Sequence, residues 1–522
     1  MHLKLSLYSL TIWLFHLLIL EGESSKILGV FPTVGGSHYI MSHSLMKGLA
    51  EAGNNVTIIS PHADNTLVKN GSYTRIVLKG FAENYQNDMK HLNLFEVKDF
   101  NNHNQEAIFQ KYMYQKTEMI FRDEGVWKLI ESNETFDAVI VEQFSNDALK
   151  VLANVFGGHL IVFDPIGPFN FVNRLIGNPT MVSYNPQVVS TFPRPMSFKD
   201  RLHNLLLYSY EEVMNHFVFL PTQDRLVKKY FPGAPSIRDI TTNVSLVLLN
   251  SHESTWQTVP LVPNAVPIGG FHIAPPKELP KEIKVFLDGA TNGAILFSLG
   301  TNLKISDMDE RRKSMFLNVF AKLDQRILWK ADENISSLPP HVKIVRWLPQ
   351  MDVLAHDSIK LFITHGGLLS LTESVYNGVP ILAIPVYGDQ ATNANNAVKA
   401  GFGLSINYHD PDFNEDKLML SITELLRNNQ YKTNALKLSK VYHDRPVNPL
   451  DLAVYWVNFV IQHNGAPHLR VDGLYLHWYQ YLLIDVIAYI FIQLIVVAML
   501  LTLFLKFVLK ATIRRNKKMK QQ

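Results

Sequence analysis

A pair of glycines that follows a short apolar run forms the strongest candidate site in this sequence. Residues 361–364 are apolar enough for a buried parallel strand, and His365, Gly366 and Gly367 follow them directly. A helix is expected over residues 368–376, and its first N–H groups would be free at the positive end of the helix dipole. Glycines at such a turn allow a ligand to approach the backbone closely. The stretch therefore predicts a binding site for a diphosphate.

Strands and helices alternate on both sides of this turn. In the first half of the chain, strands are expected at 26–32, 55–60, 136–141, 159–163 and 244–250. In the second half, strands are expected at 294–299, 326–330, 342–346, 361–364 and 381–384. Strand–helix–strand units with short links require a parallel sheet and right-handed crossovers. The sequence thus predicts two α/β domains, and the proline-rich segment 260–280 is expected to link them.

Length, charge and cysteine content exclude several classes of protein. A chain of 522 residues is too long for one ordinary core, which supports two large domains. The net charge is only +3, and much of that excess lies in the C-terminal tail, so the composition argues against a nucleic-acid binder. The chain has no cysteine, which excludes disulfides, cysteine-ligated zinc and thiol catalysis.

Further polar residues stand at fixed distances from the glycine turn. They are Ser298, Thr301, Arg346, Trp347, Gln350, Ser370, Glu373, Asp389 and Gln390. With a Gly-Gly-Ser-His sequence ending at His38, this pattern resembles the UDP-glycosyltransferases, in particular the membrane-bound animal branch and its arthropod members. The resemblance covers nearly the whole chain. It implies an α/β GT-B fold with two Rossmann-like domains facing a cleft, an acceptor-binding domain at 25–275 and a UDP-sugar-binding domain at 276–465.

The resemblance assigns roles around the diphosphate. His365 and the N–H groups of the glycine turn would neutralise the diphosphate as it leaves, and the hydroxyl groups of Ser298 and Thr301 would add hydrogen-bond donors. Many relatives outside this branch carry asparagine where this chain has Leu369. Because leucine cannot hydrogen-bond a phosphate, Ser370 and the backbone are expected to contribute more here.

The resemblance also assigns roles at the two ends of the donor. Trp347 would offer an aromatic face to uracil and Gln350 would offer amide hydrogen bonds, beside Arg346 of the same signature. Glu373 would accept hydrogen bonds from both ribose hydroxyls. The residues expected to bind the hexose hydroxyls are Asp389 and Gln390.

His38 is the candidate general base. It opens the helix after the first strand, a position that faces a cleft between two domains, and the ordinary pKa of histidine suits proton transfer near neutrality. A carboxylate should hold its other ring nitrogen and fix the tautomer. In the family this acid is an aspartate at a strand end. Glu142 holds that position here, and Asp147 is the alternative.

No metal or cofactor is expected, because the UDP-sugar would be a co-substrate and a helix end already faces its diphosphate. Two Asp-x-Asp strings, at 307–309 and 410–412, resemble the Mn²⁺ motif of a different glycosyltransferase fold. Neither follows a strand in a nucleotide-binding unit. Asp307 and Asp309 are instead expected to begin a helix.

The two ends of the chain predict a single-pass membrane protein. Residues 1–24 are typical of a cleavable signal peptide, with an N-terminal membrane anchor as the alternative. After a juxtamembrane segment at 466–485, residues 486–509 form an apolar run long enough to cross a bilayer. The tail at 510–522 is basic, which predicts a cytosolic tail and a lumenal body, the type I orientation.

Short motifs near the surface predict the compartment. Lys518 and Lys520 resemble a di-lysine signal for retrieval to the endoplasmic reticulum, and a simple stop-transfer cluster is the alternative. Glycosylation sequons, compatible with a lumenal glycoprotein, begin at Asn55, Asn70, Asn133, Asn243 and Asn334.

These patterns together predict an inverting enzyme that moves a hexose from a UDP-sugar to a hydroxyl of a small lipophilic acceptor. The resemblance to arthropod members implies UDP-glucose, and transfer of glucuronic acid is the alternative. Acceptors from detoxification and from hormone or pigment conjugation all remain open, as does self-association. From other classes, a catalytically silent lipophile-binding membrane protein and a UDP-sugar epimerase remain alternatives.

Overall fold

The computed structural model describes residues 24–520, except residues 91, 98–102, 189, 191, 194 and 337. The predicted signal peptide therefore lies outside the described residues, apart from its last position. The described residues up to Leu469 form one compact unit, which contains two parallel sheets, and those from Arg470 onward form a second unit.

The first sheet has seven parallel strands in the order β3-β2-β1-β4-β5-β6-β7. The strands are β1 Lys26–Val30, β2 Asn55–Ser60, β3 Ser72–Val77, β4 Ala138–Glu142, β5 His159–Asp164, β6 Leu246–Leu249 and β7 Ala265–Pro267. The expectation that the strand at 244–250 would be the last of this half was wrong, because β7 follows it inside the predicted linker. A short edge strand tolerates Pro267, since its outer side needs no N–H donor.

Helices cover both faces of this sheet. They are α1 Gly36–Glu51, α2 Phe81–Lys90, α3 His103–Ile120, α4 Glu124–Glu131, α5 Val151–Phe156, α6 Asn170–Ile176, α7 Phe198–Met214, α8 Leu220–Tyr230 and α9 Ile237–Thr242. The helical region expected near 107–130 is divided between α3 and α4. Asp123 makes the division, because its side chain accepts hydrogen bonds from the N–H groups of Gly125 and Val126 and so caps α4.

The second sheet has six parallel strands in the order β10-β9-β8-β11-β12-β13. The strands are β8 Ala294–Ser298, β9 Arg326–Lys330, β10 Val342–Val345, β11 Ile359–Thr364, β12 Ile381–Ala383 and β13 Gly403–Ser405. Its helices are α10 Lys281–Asp288, α11 Glu310–Phe320, α12 Gln350–Leu354, α13 Leu368–Tyr376, α14 Gln390–Lys399, α15 Glu415–Arg427 and α16 Asn429–His443. The prediction of two Rossmann-like α/β domains is confirmed.

Helix α17, Pro449–Gln462, returns from the second domain to the first. Its residues Ala453, Val457 and Val460 are buried in one cluster with Leu45 and Leu49 of α1. The last helix of the second half therefore stabilises the first sheet, because its apolar face would otherwise be exposed to water.

The second unit contains the short helix α18, Trp478–Tyr481, and the long helix α19, Ile484–Met519. Among the described residues, α19 is long and apolar enough to cross a membrane. At 1.5 Å per residue its 36 residues extend about 54 Å, well beyond the roughly 30 Å of a hydrocarbon core. The predicted span at 486–509 lies inside this helix, and the basic tail continues it.

Candidate functional site

The predicted donor residues lie at the carboxyl ends of the strands of the second sheet. The loops after β8, β11 and β12 are neighbours, because these three strands pair side by side. The loop after β10 reaches the same edge two strands away from β8. Parallel α/β sheets bind ligands at this edge, so the fold brings the signature residues together.

The glycine turn has the backbone geometry that only glycine allows. Gly366 has φ +84° and Gly367 directly precedes α13. A Cβ atom on Gly366 would lie 3.0 Å from the backbone oxygen of Gln390, and one on Gly367 would lie 2.5 Å from Nε2 of His365. No side chain among the described residues caps the first N–H groups of α13. These groups are therefore available to an anion, as the sequence predicted.

His365 differs from its expected role as a positive charge. Burial, together with the smaller effect of the nearby Lys330 charge, lowers its pKa to about 4. The imidazole is therefore neutral near pH 7 and can donate a hydrogen bond to a phosphate oxygen without adding charge. The sequence reasoning did not identify Lys330, which ends β9 and donates a hydrogen bond to the backbone oxygen of Gly300 at 2.9 Å. The sequence did contain a signal for Lys330 that was not used, namely a lysine at the end of an apolar strand, at the edge of the sheet where ligands bind.

The two hydroxyl residues after β8 lie in different surroundings. Ser298 is buried, and its Oγ accepts a hydrogen bond from the N–H of Gly300 at 3.4 Å. Thr301 is exposed and lies against the first domain, since a Cβ atom on Gly36 would be 3.1 Å from its Oγ1. Thr301 thus sits where the two domains meet, beside the loop that carries His38.

The uridine end of the site is built around Gln350. Its amide Nε2 donates to Oγ of Ser370 at 3.0 Å and to Oε2 of Glu373 at 2.7 Å. Ser370 therefore lies beside Gln350, whereas the sequence placed it with the phosphates. Trp347 is 69% exposed, so one aromatic face is free to stack on a base, and Arg346 is exposed beside it.

Leu369 has a packing role. It contacts the cluster that holds Phe31 and Phe271 of the first domain. The leucine at this position therefore contributes apolar contact between the domains where an asparagine would offer a hydrogen bond.

Glu373, the predicted partner of the ribose hydroxyls, is expected to make donor binding dependent on pH. Burial raises its pKa to about 7, an effect partly offset by the hydrogen bond from Gln350 and the charge of Lys330. Only the ionised carboxylate can accept from both ribose hydroxyls. We expect KM for the UDP-sugar to rise as pH falls below about 7, by up to about tenfold per pH unit. Initial rates between pH 5.5 and 8.5 test this, and the slope should disappear in Glu373→Gln. A pH-independent KM in the wild-type enzyme would contradict the role of Glu373.

The sugar end of the site carries Asp389 and Gln390. Asn393 Nδ2 donates to Oδ2 of Asp389 at 2.7 Å. The Oε1 atom of Gln390 accepts hydrogen bonds from the backbone N–H groups of Val386 and Tyr387. These two bonds fix the orientation of the amide and therefore of its N–H₂ group. Both side chains are thus held by neighbours before any sugar binds.

The acid Asp389 lies within electrostatic range of His38, which belongs to the other domain. Burial raises the pKa of Asp389, while the charge of His38 in the first domain acts in the opposite direction. An electrostatic effect of this kind requires the two groups to be close. The predicted sugar site and the predicted base therefore meet between the domains.

Glu142, rather than Asp147, contacts the candidate base. Nδ1 of His38 lies 2.5 Å from Oε1 of Glu142 at the end of β4, and the Glu142 side chain is fully buried. A carboxylate can only accept, so Nδ1–H donates and Nε2 keeps its lone pair. The His38 side chain is 16% exposed, which leaves the ring accessible at its other edge.

Asp147 is engaged elsewhere. Its Oδ1 lies 2.5 Å from Nζ of Lys150, which is completely buried, and it also accepts from Gln143. The alternative partner of His38 is therefore part of a buried ion pair, where it balances the charge of Lys150.

Aromatic side chains lie in two places near the junction of the domains. The Phe144 ring packs edge-on against the imidazole of His38, with ring centroids 4.9 Å apart. In a separate cluster, Phe169 packs with Trp256 and with Leu368 of the second domain. The sequence reasoning did not single out Trp256, because a lone tryptophan in a loop gives no periodic signal.

Comparison with known proteins agrees with this geometry. The family model described as UDP-glucoronosyl and UDP-glucosyl transferase matches residues 25–519. The chain belongs to this family. It is therefore a UDP-glycosyltransferase, and the GT-B architecture implied by the sequence is confirmed.

Individual relatives support the same assignment. UDP-glycosyltransferase UGT5 of Dactylopius coccus is 35% identical over 490 residues, which are 92% of this chain and 91% of that protein. UDP-glucosyltransferase 2 of the same insect is 34% identical over 483 residues, 92% of each chain. Human UDP-glucuronosyltransferase 2B15 is 28% identical over 521 residues, 96% of each chain. Among solved structures, CalG4, the calicheamicin glycosyltransferase, has a TM-score of 0.57 at 16% identity, covers 84% of this chain and is itself 99% covered, which shows the shared fold.

Proposed function

We propose that this UDP-glycosyltransferase transfers glucose from UDP-glucose to a hydroxyl of a small lipophilic acceptor, with inversion at the anomeric carbon. The observation that carries the proposal is the His38–Glu142 pair, which lies within electrostatic range of Asp389 on the other domain. A base on one domain and a sugar-binding acid on the other suit direct displacement by an acceptor that lies between them.

In the proposed reaction, Nε2 of His38 removes the proton of the acceptor hydroxyl as its oxygen attacks the anomeric carbon. The bond from that carbon to the β-phosphate oxygen breaks, and the electron pair leaves with UDP. Glu142 stabilises the imidazolium that forms. The free N–H groups at the start of α13, with the neutral imidazole of His365, would stabilise the charge that develops on the diphosphate.

Two observations support glucose as the transferred sugar. The insect relative named UDP-glucosyltransferase 2 is 34% identical, whereas the human glucuronosyltransferase is 28% identical. In addition, the acid Asp389 at the sugar end would repel the carboxylate of glucuronic acid. The aromatic residues Phe144, Phe169 and Trp256 support an apolar acceptor.

The test is product analysis with the full-length enzyme in microsomes. Radiolabelled UDP-glucose and UDP-glucuronic acid are each supplied with the same panel of phenolic and aliphatic hydroxyl acceptors. We expect a labelled β-glucoside and a rate from UDP-glucuronic acid at least about tenfold lower. A faster rate with UDP-glucuronic acid would establish the alternative donor. Absence of any glycoside, with UDP still bound, would favour the silent binding protein.

We further propose that transfer needs no metal ion. Asp309 caps α11 by accepting a hydrogen bond from the N–H of Arg312 at 2.9 Å, as expected for a helix-start acid. Asp307 differs from that expectation, because it ends a short 3₁₀ turn that precedes the helix. Asp410 forms an ion pair with Lys417 at 2.6 Å.

Chelation tests this proposal. Activity after exhaustive dialysis against EDTA should remain within about twofold of the untreated enzyme, because helix and side-chain N–H groups stabilise the diphosphate. The measurement is the initial rate with UDP-glucose before and after dialysis, with Mn²⁺ and Mg²⁺ added back separately. A loss that Mn²⁺ alone restores would show that an acid-rich segment binds a metal after all.

We also propose that the body lies in the lumen of the endoplasmic reticulum. The apolar part of α19 is followed by basic residues, and four of the five sequon asparagines, Asn70, Asn133, Asn243 and Asn334, are exposed. Asn55 lies half-buried in β2, a strand with neighbours on both sides.

Protease protection tests the orientation. In sealed microsomes, added protease should shorten the chain by only the tail after about residue 510, because the bilayer shields a lumenal body. A C-terminal epitope tag should disappear while the body stays intact until detergent is added. Changing Lys518 and Lys520 to alanine should release the protein from the endoplasmic reticulum without loss of activity. Digestion of the body in intact microsomes would reverse the proposed topology.

A further inference from the structure

A buried histidine outside the signature lies beside the donor site. His272 follows β7 on the segment that leads into the second domain, and its side chain is only 3% exposed. Within the described part of the chain, neither ring nitrogen of His272 has a hydrogen-bond partner. A neutral imidazole carries one donor and one acceptor, and buried polar groups are nearly always satisfied in the working form of a protein. The arrangement therefore suggests that His272 acquires a partner during function.

Glu373 is the polar group that faces this imidazole. Nε2 of His272 lies 3.9 Å from Oε1 of Glu373, a distance slightly longer than a hydrogen bond. The other carboxylate oxygen, Oε2, is already held by Gln350. Burial lowers the pKa of His272 to about 4, so the ring is neutral near pH 7 and can donate a hydrogen bond without introducing a charge.

The segment that carries His272 is fixed by the second domain. The backbone oxygen of Gly269 accepts hydrogen bonds from the Tyr442 hydroxyl at 3.3 Å and from Arg445 Nη1 at 2.9 Å. Gly270 has φ +84°, and a Cβ atom there would lie 1.3 Å from the Tyr442 oxygen, so no other residue fits. The position of the imidazole is thus determined by the packing around it.

We propose that His272 is a positioning residue for the donor. Its Nε2–H donates to Oε1 of Glu373 once the site closes on a UDP-sugar, and the carboxylate is then held at both oxygens while it accepts from the two ribose hydroxyls. The inference rests on the donor assignment proposed above. It requires a movement of about 1 Å, the difference between 3.9 Å and an ordinary hydrogen bond.

The test compares four variants of the full-length, detergent-solubilised enzyme. They are His272→Ala, His272→Gln, Glu373→Gln and the double variant His272→Ala with Glu373→Gln. The measurements are Kd for UDP by quenching of tryptophan fluorescence, and KM for UDP-glucose and for the acceptor. The matched control is His341→Ala, which removes an imidazole of the second domain that bonds to the backbone oxygen of Phe320.

We expect His272→Ala to raise Kd for UDP and KM for UDP-glucose about tenfold, as for loss of one hydrogen bond to a charged group, with KM for the acceptor unchanged. Glutamine places an amide N–H where Nε2–H stood, so His272→Gln should stay within about threefold of the wild type. Because His272 acts through Glu373, the double variant should bind UDP no more weakly than Glu373→Gln alone.

Three results would overturn the inference: unchanged UDP binding in His272→Ala, additive losses in the double variant, or a loss that His341→Ala reproduces. If His272→Ala does not fold, His272→Leu, which also removes the donor, completes the same cycle with Glu373→Gln, and coupling near zero overturns the inference as well. Failure of the donor assignment is distinguishable, since the wild-type protein would then bind no UDP, and failure of catalysis alone would appear as UDP binding without a glycoside product.

Discussion

We expect His38→Ala to lower kcat by about 10²–10⁴-fold and to leave Kd for UDP nearly unchanged. The reason is geometric, because the ring lies in the cleft with Nδ1 held 2.5 Å from Glu142 and Nε2 free to accept a proton. The uridine and phosphate groups would be bound by the other domain, so removal of the imidazole affects the chemical step alone. Single-turnover rates with saturating UDP-glucose, together with UDP binding by fluorescence, measure the two quantities separately.

A matched control lies on the same helix. His43 is half-buried on α1 and interacts with Thr66, whereas His38 contacts Glu142. His43→Ala should therefore keep kcat within about threefold, because it removes an imidazole of equal size without removing the base. If His38→Ala retains more than about a tenth of the wild-type kcat, the base must be another group.

Glu142→Gln produces the second large effect, a fall in kcat of about 10²–10⁴-fold. A glutamine at this position is nearly isosteric, but its amide can donate to Nδ1 and so favour the tautomer that carries its proton on Nε2. The base would then lack a lone pair toward the acceptor, and the imidazolium would lose its counter-charge. KM for UDP-glucose should stay unchanged, because Glu142 lies on the first domain.

Asp147→Asn should behave differently, which separates the two acids. The substitution leaves Lys150 buried without its counter-ion, a change that typically destabilises a protein by about 3–5 kcal/mol. Thermal unfolding should shift to lower temperature, while kcat of the folded fraction stays within about threefold. The opposite pattern, with catalysis lost in Asp147→Asn and retained in Glu142→Gln, would assign the supporting role to Asp147.

Local sequence patterns predicted much of the fold. The helix at 368–376 and the strands at 55–60 and 326–330 have the predicted bounds. These elements are short apolar runs or amphipathic stretches bounded by Gly, Asn or Pro, where local signals agree with the tertiary fold.

Elements without such signals were missed. Strand β3 has half its side chains exposed and its sequence, SYTRIV, mixes polar and apolar residues. Helix α7 carries exposed apolar side chains such as Phe198 and Leu206 along with charged ones, so its periodicity is obscured. The segment forms strand β3 because it pairs with β2, and its local sequence carries no signal of that pairing.

The sequence by itself determined the family, the two α/β domains, the glycine turn before a helix and the identity of the candidate base. Each of these depends on residue types at fixed spacing along the chain. Lys330 and His272 are not part of that pattern, because neither is close in sequence to the residue beside which it lies, Gly300 for Lys330 and Glu373 for His272.

Only the tertiary structure decided which acid supports His38. Strands β1 and β4 pair directly, with Val30 opposite Val141, so the loop before His38 and the end of β4 meet at one edge of the sheet. Beyond Glu142 the chain leaves that edge of the sheet, and the Asp147 side chain forms an ion pair with the buried Lys150. A sequence gives the distance between residues along the chain, whereas strand order and register decide which of two nearby carboxylates reaches the imidazole.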